Sequence, residues 1–304
     1  MTSGRRYELH GPRAGGPVPE QVPVPGIGQV LVRVLANGVC ASDLTAWREG
    51  AGTLGHEPVG TAVEIGPGVD LAPGTLVTGR FVRSYADFVL ADSVDIVEVP
   101  ADVPLEQAAI AEPLGCVVEA MRRAPVQLAE RVTVIGLGFM GLCMIQLLKL
   151  AATACVSGVD FREDARTAAL RAGADEVFAP AELATRSADV DLVIEATGTQ
   201  SGLDLATTLV RPHGRISLLG YHQSTRQVDL QSWNWKAIDV INAHVRDRHL
   251  LRSSTRAGLD LIAAGRVDFT PLITHRFPLD RVDEAFTLLE TKPPGFTKAI
   301  IQLT

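Results

Sequence analysis

The stretch Val132-Thr133-Val134-Ile135-Gly136-Leu137-Gly138-Phe139-Met140-Gly141-Leu142 decides how this chain is read. Four residues of β type run into three glycines spaced GxGxxG, and an uncharged segment follows to residue 148. That segment approaches the length of a membrane helix, but its glycines and β-branched start fit a strand, a tight turn and a buried helix better. In such a turn the first glycine makes the bend and the second lets a pyrophosphate approach the backbone. The third lets helix and strand pack closely, and the helix N-terminus faces the phosphates. Context strengthens the string: Asp160 follows nineteen residues after Gly141, at the end of the next predicted strand. A carboxylate there accepts hydrogen bonds from an adenosine ribose diol. Gly136, Leu137, Gly138, Phe139, Met140, Gly141 and Asp160 are therefore candidate dinucleotide-binding residues. Asp160 would repel a 2′-phosphate, which favours NAD over NADP. Arg162, two residues on, is the group that could meet such a phosphate or cover the adenine.

Downstream of that turn the alternation continues. Strand-like runs at 154–159, 190–194 and 215–219 are separated by helix-length segments around 165–172 and 203–210. Parallel strands need crossovers of that length, so residues 118–253 are expected to form a doubly wound parallel sheet. Upstream the pattern differs. To about residue 110 the chain is rich in Pro and Gly, with short β-type runs at 30–35, 60–65, 86–90 and 95–99 bounded by turn formers such as Gly66-Pro67-Gly68. This predicts an antiparallel or barrel-like β domain, followed by an amphipathic helix from Glu106 to about Arg123. The C-terminal part, ending Lys298-Ala299-Ile300-Ile301-Gln302-Leu303, is expected to rejoin the first domain. The division is then 1–117 with 254–304, and 118–253, in an α/β chain.

A chain of 304 residues that is 46% hydrophobic can bury the cores of about two domains. With 28 Lys+Arg against 35 Asp+Glu, its formal charge of −7 offers no footprint for a nucleic-acid backbone and would be repelled by an acidic leaflet. No nucleic-acid or membrane partner is expected. Cys40, Cys116, Cys143 and Cys155 are too few and too scattered for a disulfide scaffold, and no apolar run follows the arginines of the N-terminal segment. A cytoplasmic protein with reduced thiols is expected.

In the β-rich part, Cys40, His56 and the carboxylates of Asp43, Glu57 and Glu112 supply metal-binding groups. One Cys, one His and one acid, with a fourth position left to water, is the ligand count of a catalytic zinc. Taken singly, each has an ordinary reading: Cys40 as a small buried hydrophobe, His56 as a satisfied core histidine, Glu112 as a helix-face charge beside Pro113. Their combination is what argues for a metal.

Gly38-Val39-Cys40-Ala41-Ser42-Asp43, Gly55-His56-Glu57, Ala111-Glu112-Pro113-Leu114-Gly115 and the GxGxxG turn occur in the order found in the zinc-type medium-chain dehydrogenase/reductase family. Residues 22–40 resemble the opening of that family's GroES-like domain, and the resemblance covers essentially the whole chain. It implies a GroES-like catalytic domain beside a Rossmann domain. It also implies a zinc- and NAD-dependent alcohol dehydrogenase of the polyol (sorbitol- or threonine-dehydrogenase-like) branch. Cys40 and His56 match two catalytic zinc ligands. Glu112, twenty-four residues before Gly136, matches the third, with Cys116 as its rival, expected to serve packing. Glu57 matches an acid that can approach the metal, Asp43 the carboxylate that orients the metal-bound histidine, and Ser42 the hydroxyl that passes the substrate proton outward. Thr197, Gly220, Asn242 and His244 are further expected cofactor-binding residues; His244 and Arg246 lie where relatives place nicotinamide-facing and pocket groups, and Arg246, Trp47 and Tyr85 are expected pocket walls.

Two departures from the family stand out. Residues 76–85 run on with no cysteine where relatives carry a four-cysteine structural zinc lobe, so one catalytic zinc per chain and no structural zinc is expected. Thr45 replaces the histidine that ends the proton relay in many relatives. The segment between Asp43 and Gly55 is also short. The expected reaction moves a hydride between NAD(H) and a secondary alcohol or ketone, a polyol, cyclitol or similarly polar small molecule, in a homodimer or homotetramer. The competing readings are a zinc-free quinone or enoyl reductase on the same fold and a non-catalytic nucleotide-binding protein.

Overall fold

A computed structural model describes residues 3–183 and 189–303. The chain divides into two units, Met1–Gly115 with Arg246–Thr304, and Cys116–Val245.

In Cys116–Val245 the β-branched run becomes the strand Arg131–Ile135, central in a six-stranded parallel sheet. Across the sheet the order is Glu176–Phe178, Cys155–Val159, Arg131–Ile135, Val190–Glu195, Val210–Leu218 and Asp239–Asn242. This is the doubly wound order, in which the chain reverses direction between Arg131–Ile135 and Val190–Glu195. Both faces of these strands are covered, which is why Val132, Val134, Leu192, Val193 and Ile216 can all be fully apolar. The hydroxyls of Thr133 and Ser157 satisfy each other at 2.8 Å inside that layer. The helix Phe139–Leu148 is buried on nearly every side, so it carries no charge.

In the other unit a sheet runs Ile273–Pro278, Lys298–Gln302, Gln29–Gly38, Pro58–Ile65, Leu76–Thr78 and Val97–Glu98, with Phe88–Asp92 also paired to Gln29–Gly38. Lys298–Gln302 pairs antiparallel to Gln29–Gly38, Ile300 opposite Gly38, so the C-terminal strand completes the sheet that holds the Cys40 loop. The core gathers Val30, Val32, Val34, Trp47, Phe81, Tyr85, Phe286 and Ile301.

Three sequence expectations change. Ser3–Gly11 and Ala14–Gln21 form a two-stranded ribbon that the Gly- and Pro-rich composition hid; Pro17 and Pro19 are tolerated because Ala14–Gln21 is an edge strand, paired on one side only. The single helix expected over 106–123 is two, Leu105–Ala108 and Ala111–Arg123. A continuous helix would have set the Pro113 ring against the Ala109 carbonyl, whereas a restart at Ala111 puts the proline in a first turn, where its missing N–H costs nothing. The expected boundary between 253 and 254 falls inside the helix Arg248–Ala263, capped by Asp247, and one cooperative helix is not divided; the second unit ends instead at Val245. Among the described residues no helix is long and apolar enough to cross a membrane.

Candidate metal and dinucleotide sites

In the first unit, Cys40 leaves the strand Gln29–Gly38 in extended backbone and heads the short turn Ala41–Asp43. The Cys40 Sγ, a His56 ring nitrogen and a Glu57 carboxylate oxygen all lie within 4.8 Å of one another, the one such cluster among the described residues. Asp43 orients the histidine. Its Oδ1 is 3.1 Å from His56 Nδ1, while its Oδ2 accepts the Gly55 N–H at 2.9 Å, leaving Nε2 for the cluster. Burial of the ring opposes its charge, but hydrogen bonds to Asp43 and Cys40 outweigh that and push its pKa up to about 12. A metal ligand is the neutral imidazole, so metal binding at His56 would be coupled to loss of a ring proton. Ser42 is exposed, its hydroxyl donating to Cys40 Sγ at 3.3 Å.

Glu57 is 1% exposed, and its Oε2 accepts from Lys298 Nζ at 2.6 Å. Burial alone would lower the Lys298 pKa; the charges of Glu57 and Cys40 and the bond to Glu57 hold it above the ordinary lysine value. A Cβ at position 38 would stand 1.9 Å from Glu57 Oε2, so a larger residue there would displace that carboxylate. Glu57 Oε1 is buried without a hydrogen-bond partner, an acceptor that a cation would satisfy. Soft sulfur, imidazole and carboxylate around such an orphan fit zinc.

Glu112 stands outside this tight group, in the first turn of Ala111–Arg123, and is also buried. Burial, with the charge of Glu57 adding to it and that of His56 opposing, pushes its carboxyl pKa up to about 7. Of the two buried carboxylates, Glu57 is the one grouped with the Cys–His pair, and Lys298 tethers it. Cys116 begins the second unit.

In the second unit, the GxGxxG turn joins Arg131–Ile135 to Phe139–Leu148. A Cβ on Gly141 would lie 1.9 Å from the Gly136 carbonyl oxygen, so the close helix–strand approach demands glycine there. Beside Gly138 the space is open, the cradle a pyrophosphate needs. Leu137 and Phe139 are buried and Met140 is half-buried. Asp160 accepts the Leu137 N–H and the Arg162 N–H, each at 2.9 Å, tying the glycine turn to the end of the neighbouring strand. The Arg162 guanidinium is turned toward acids, 3.9 Å from Asp160 and 3.6 Å from Asp164. Past the next strand, exposed Thr197 donates its N–H to Glu195 at 2.7 Å, and Gly220 donates its own to the Glu195 carbonyl. The ring of His244 lies 3.1 Å from the Gly220 carbonyl oxygen, and its backbone N–H donates to Asn242 Oδ1 at 3.1 Å. These groups collect at the carboxyl ends of the strands, where doubly wound sheets bind ligands.

Of the expected pocket walls, two are buried and one is exposed. Trp47 is 2% exposed, stacks on Phe286 at 5.6 Å between ring centres and donates to Asp283 at 2.7 Å. Tyr85 is equally buried, its hydroxyl donating to the Gly38 carbonyl at 3.1 Å. Both are core residues because a large ring with one polar tip is most stable when the tip finds a buried partner. Arg246 is exposed. Two functional candidates escape a reading of the sequence. Lys298 opens a final strand whose next three residues are apolar, and Glu195 ends another strand at 0% exposure; a charged residue beside such an apolar run is the only signal either leaves.

Residues 26–121 match the alcohol dehydrogenase GroES-like domain family, and residues 140–264 the zinc-binding dehydrogenase family. The chain is 30% identical to an L-threonine 3-dehydrogenase of Thermococcus kodakarensis over 90% of its own length and 91% of the relative's. It is 28% identical to a sorbitol dehydrogenase of Gallus gallus over 87% of each. A solved alcohol dehydrogenase from E. coli CFT073, complexed with NADH, superposes with a TM-score of 0.90 at 21% identity, covering 99% of this chain and 100% of that one. With a GroES-like unit that carries the Cys–His–acid cluster, a Rossmann unit that carries the glycine turn, and relatives spanning both, this chain belongs to the zinc-type alcohol dehydrogenases of the medium-chain dehydrogenase/reductase family.

Proposed function

We propose that the protein is a zinc- and NAD-dependent dehydrogenase that interconverts a polar secondary alcohol, a polyol, cyclitol or hydroxy-acid-like molecule, with its ketone. The observation that carries this reading is the Cys40–His56–Glu57 cluster with its orphaned Glu57 oxygen. Zinc bound there would supply a Lewis acid for the alcohol oxygen, and NAD would supply the hydride acceptor. Cys40, His56 and Glu112 would hold the metal, with Glu57 as the neighbouring carboxylate that Lys298 restrains. Asp43 keeps the His56 ring aimed. Ser42, exposed beside Cys40, takes the substrate hydroxyl proton and passes it to water, since Thr45 offers no imidazole. In the second unit Asp160 receives the adenosine ribose, and the acid-facing Arg162 supports NAD over NADP. The L-threonine and sorbitol dehydrogenase relatives support a polar alcohol substrate.

Elemental analysis of purified protein is expected to find about one zinc per chain, most of it lost in Cys40→Ser and His56→Ala. A panel of secondary alcohols, sugars and cyclitols with NAD is expected to reveal turnover. Zinc-free protein that reduces quinones or enones with NAD(P)H would overturn the zinc reading. Tight NAD binding with no turnover on any alcohol would overturn the catalytic one.

A further inference from the structure

The second unit contains a polar chain, anchored on a buried carboxylate, for which the hydride-transfer reading has no use. Glu195 is fully buried at the carboxyl end of Val190–Glu195, and its carboxylate accepts from the Thr197 N–H at 2.7 Å, the Thr197 hydroxyl and the Gly198 N–H at 3.1 Å. Its other oxygen is 2.9 Å from His222 Nε2. Arg226 Nε donates to His222 Nδ1 at 3.1 Å, and its NH2 donates to the Gly198 carbonyl at 2.7 Å. An arginine can only donate, so Nδ1 must be the lone-pair nitrogen. The proton therefore sits on Nε2 and is given to Glu195. The consequence is a clamp: Glu195 takes the N–H groups of the Thr197-Gly198 turn, Arg226 takes its carbonyl, and His222 joins the two.

That turn occupies the reversal point of the sheet, directly beside the glycine turn, where a Cβ on Gly136 would meet the Thr197 methyl at 2.7 Å. Holding a buried carboxylate, a guanidinium and an imidazole together is costly unless every member is satisfied, and here the members satisfy one another. We infer that His222 and Arg226 are positioning residues that, with Glu195, hold the Thr197-Gly198 turn in the conformation that receives the dinucleotide beside the glycine turn. This rests on the NAD reading above. Neither residue need touch the cofactor; they act by removing the turn's freedom before binding, so that binding does not have to order it.

The test uses full-length, zinc-loaded protein and the variants His222→Ala, His222→Gln and Arg226→Ala. Calorimetric titration with NAD is expected to show about tenfold weaker binding for both alanine variants, with KM for NAD raised in step and kcat changed by less than about threefold. His222→Gln keeps a donor toward Glu195, so it is expected to recover most of the loss, which a role in bulk packing would not produce. Amide hydrogen exchange without cofactor reads the clamp separately: peptides covering 196–203 should exchange about tenfold faster in both alanine variants, while those covering 132–141 stay unchanged. NAD affinity and exchange both at wild-type values would overturn the inference. Faster exchange at the turn in a protein whose wild type binds no nicotinamide dinucleotide would leave the clamp standing and bring down the NAD reading, and with it the clamp's assigned purpose.

Discussion

The glycine turn of Cys116–Val245 and the ligand cluster of the other unit are built in opposite ways. The turn is made of backbone: consecutive residues whose missing side chains leave a space, with Asp160 bracing Leu137 from the next strand. The cluster is made of charged side chains brought from three places in the chain, Cys40, His56-Glu57 and Lys298, with Glu112 from a fourth. A backbone site is specified by a short local pattern and tolerates much around it. A cluster of buried charges depends on every partner, because each is stable only while the others neutralise it.

Substitutions in the two regions test this contrast, from the largest expected effect downward. Cys40→Ser or His56→Ala should lower turnover by about a thousandfold or more, in step with the lost zinc, since each removes a ligand from a site with few. The carboxylates come next. Glu112→Ala should cost about a hundredfold in turnover and weaken zinc, whereas Cys116→Ala keeps zinc and most activity; the reverse pattern in a steady-state assay would show the ligand set to be wrong. Asp43→Asn leaves all ligands in place but loosens His56, so a competition titration with a zinc chelator should read an affinity about 10–100-fold lower. On the backbone side the effects are smaller. Asp160→Gly should weaken NAD several-fold and narrow the NAD/NADP preference by about tenfold, read as the ratio of kcat/KM values. A wild type that already prefers NADP would show that Arg162 governs this pocket.

The cluster also makes a prediction about stability that the turn does not. Lys298→Met would leave Glu57 buried without its lysine, and denaturant unfolding of metal-free protein should show a loss of about 3–5 kcal/mol. Bound zinc should restore part of it, because the ion supplies the missing positive charge. Equal losses with and without zinc would mean that Glu57 does not face the metal.

Much of both sites is legible in the amino-acid sequence. The glycine turn can be read because strand, turn and helix signals are adjacent, and Cys40 and His56 because each sits in a short ordered motif. The lysine partner of Glu57 cannot. It lies 241 positions away, and only the antiparallel pairing of Lys298–Gln302 with Gln29–Gly38 brings it near. Glu195 escapes for a related reason: its partners His222 and Arg226 sit in a segment without periodicity, where sequence shows polar residues but not what they hold. The burial of Trp47 and Tyr85 is not legible either, because an aromatic residue's type does not say which face of the β domain it joins.

By itself the sequence determined the order of the parts: a β-rich segment with a Cys–His–acid set, a doubly wound sheet with its glycine turn, and a C-terminal return. Those follow from local periodicity and from glycines that no other residue can replace. Tertiary structure alone decided which of two buried carboxylates is grouped with the Cys–His pair, what charge holds it there, and which side chains lock the Thr197-Gly198 turn. These are outcomes of burial and pairing between distant residues, and the cost of an unpaired buried charge is set by neighbours that the linear sequence does not reveal.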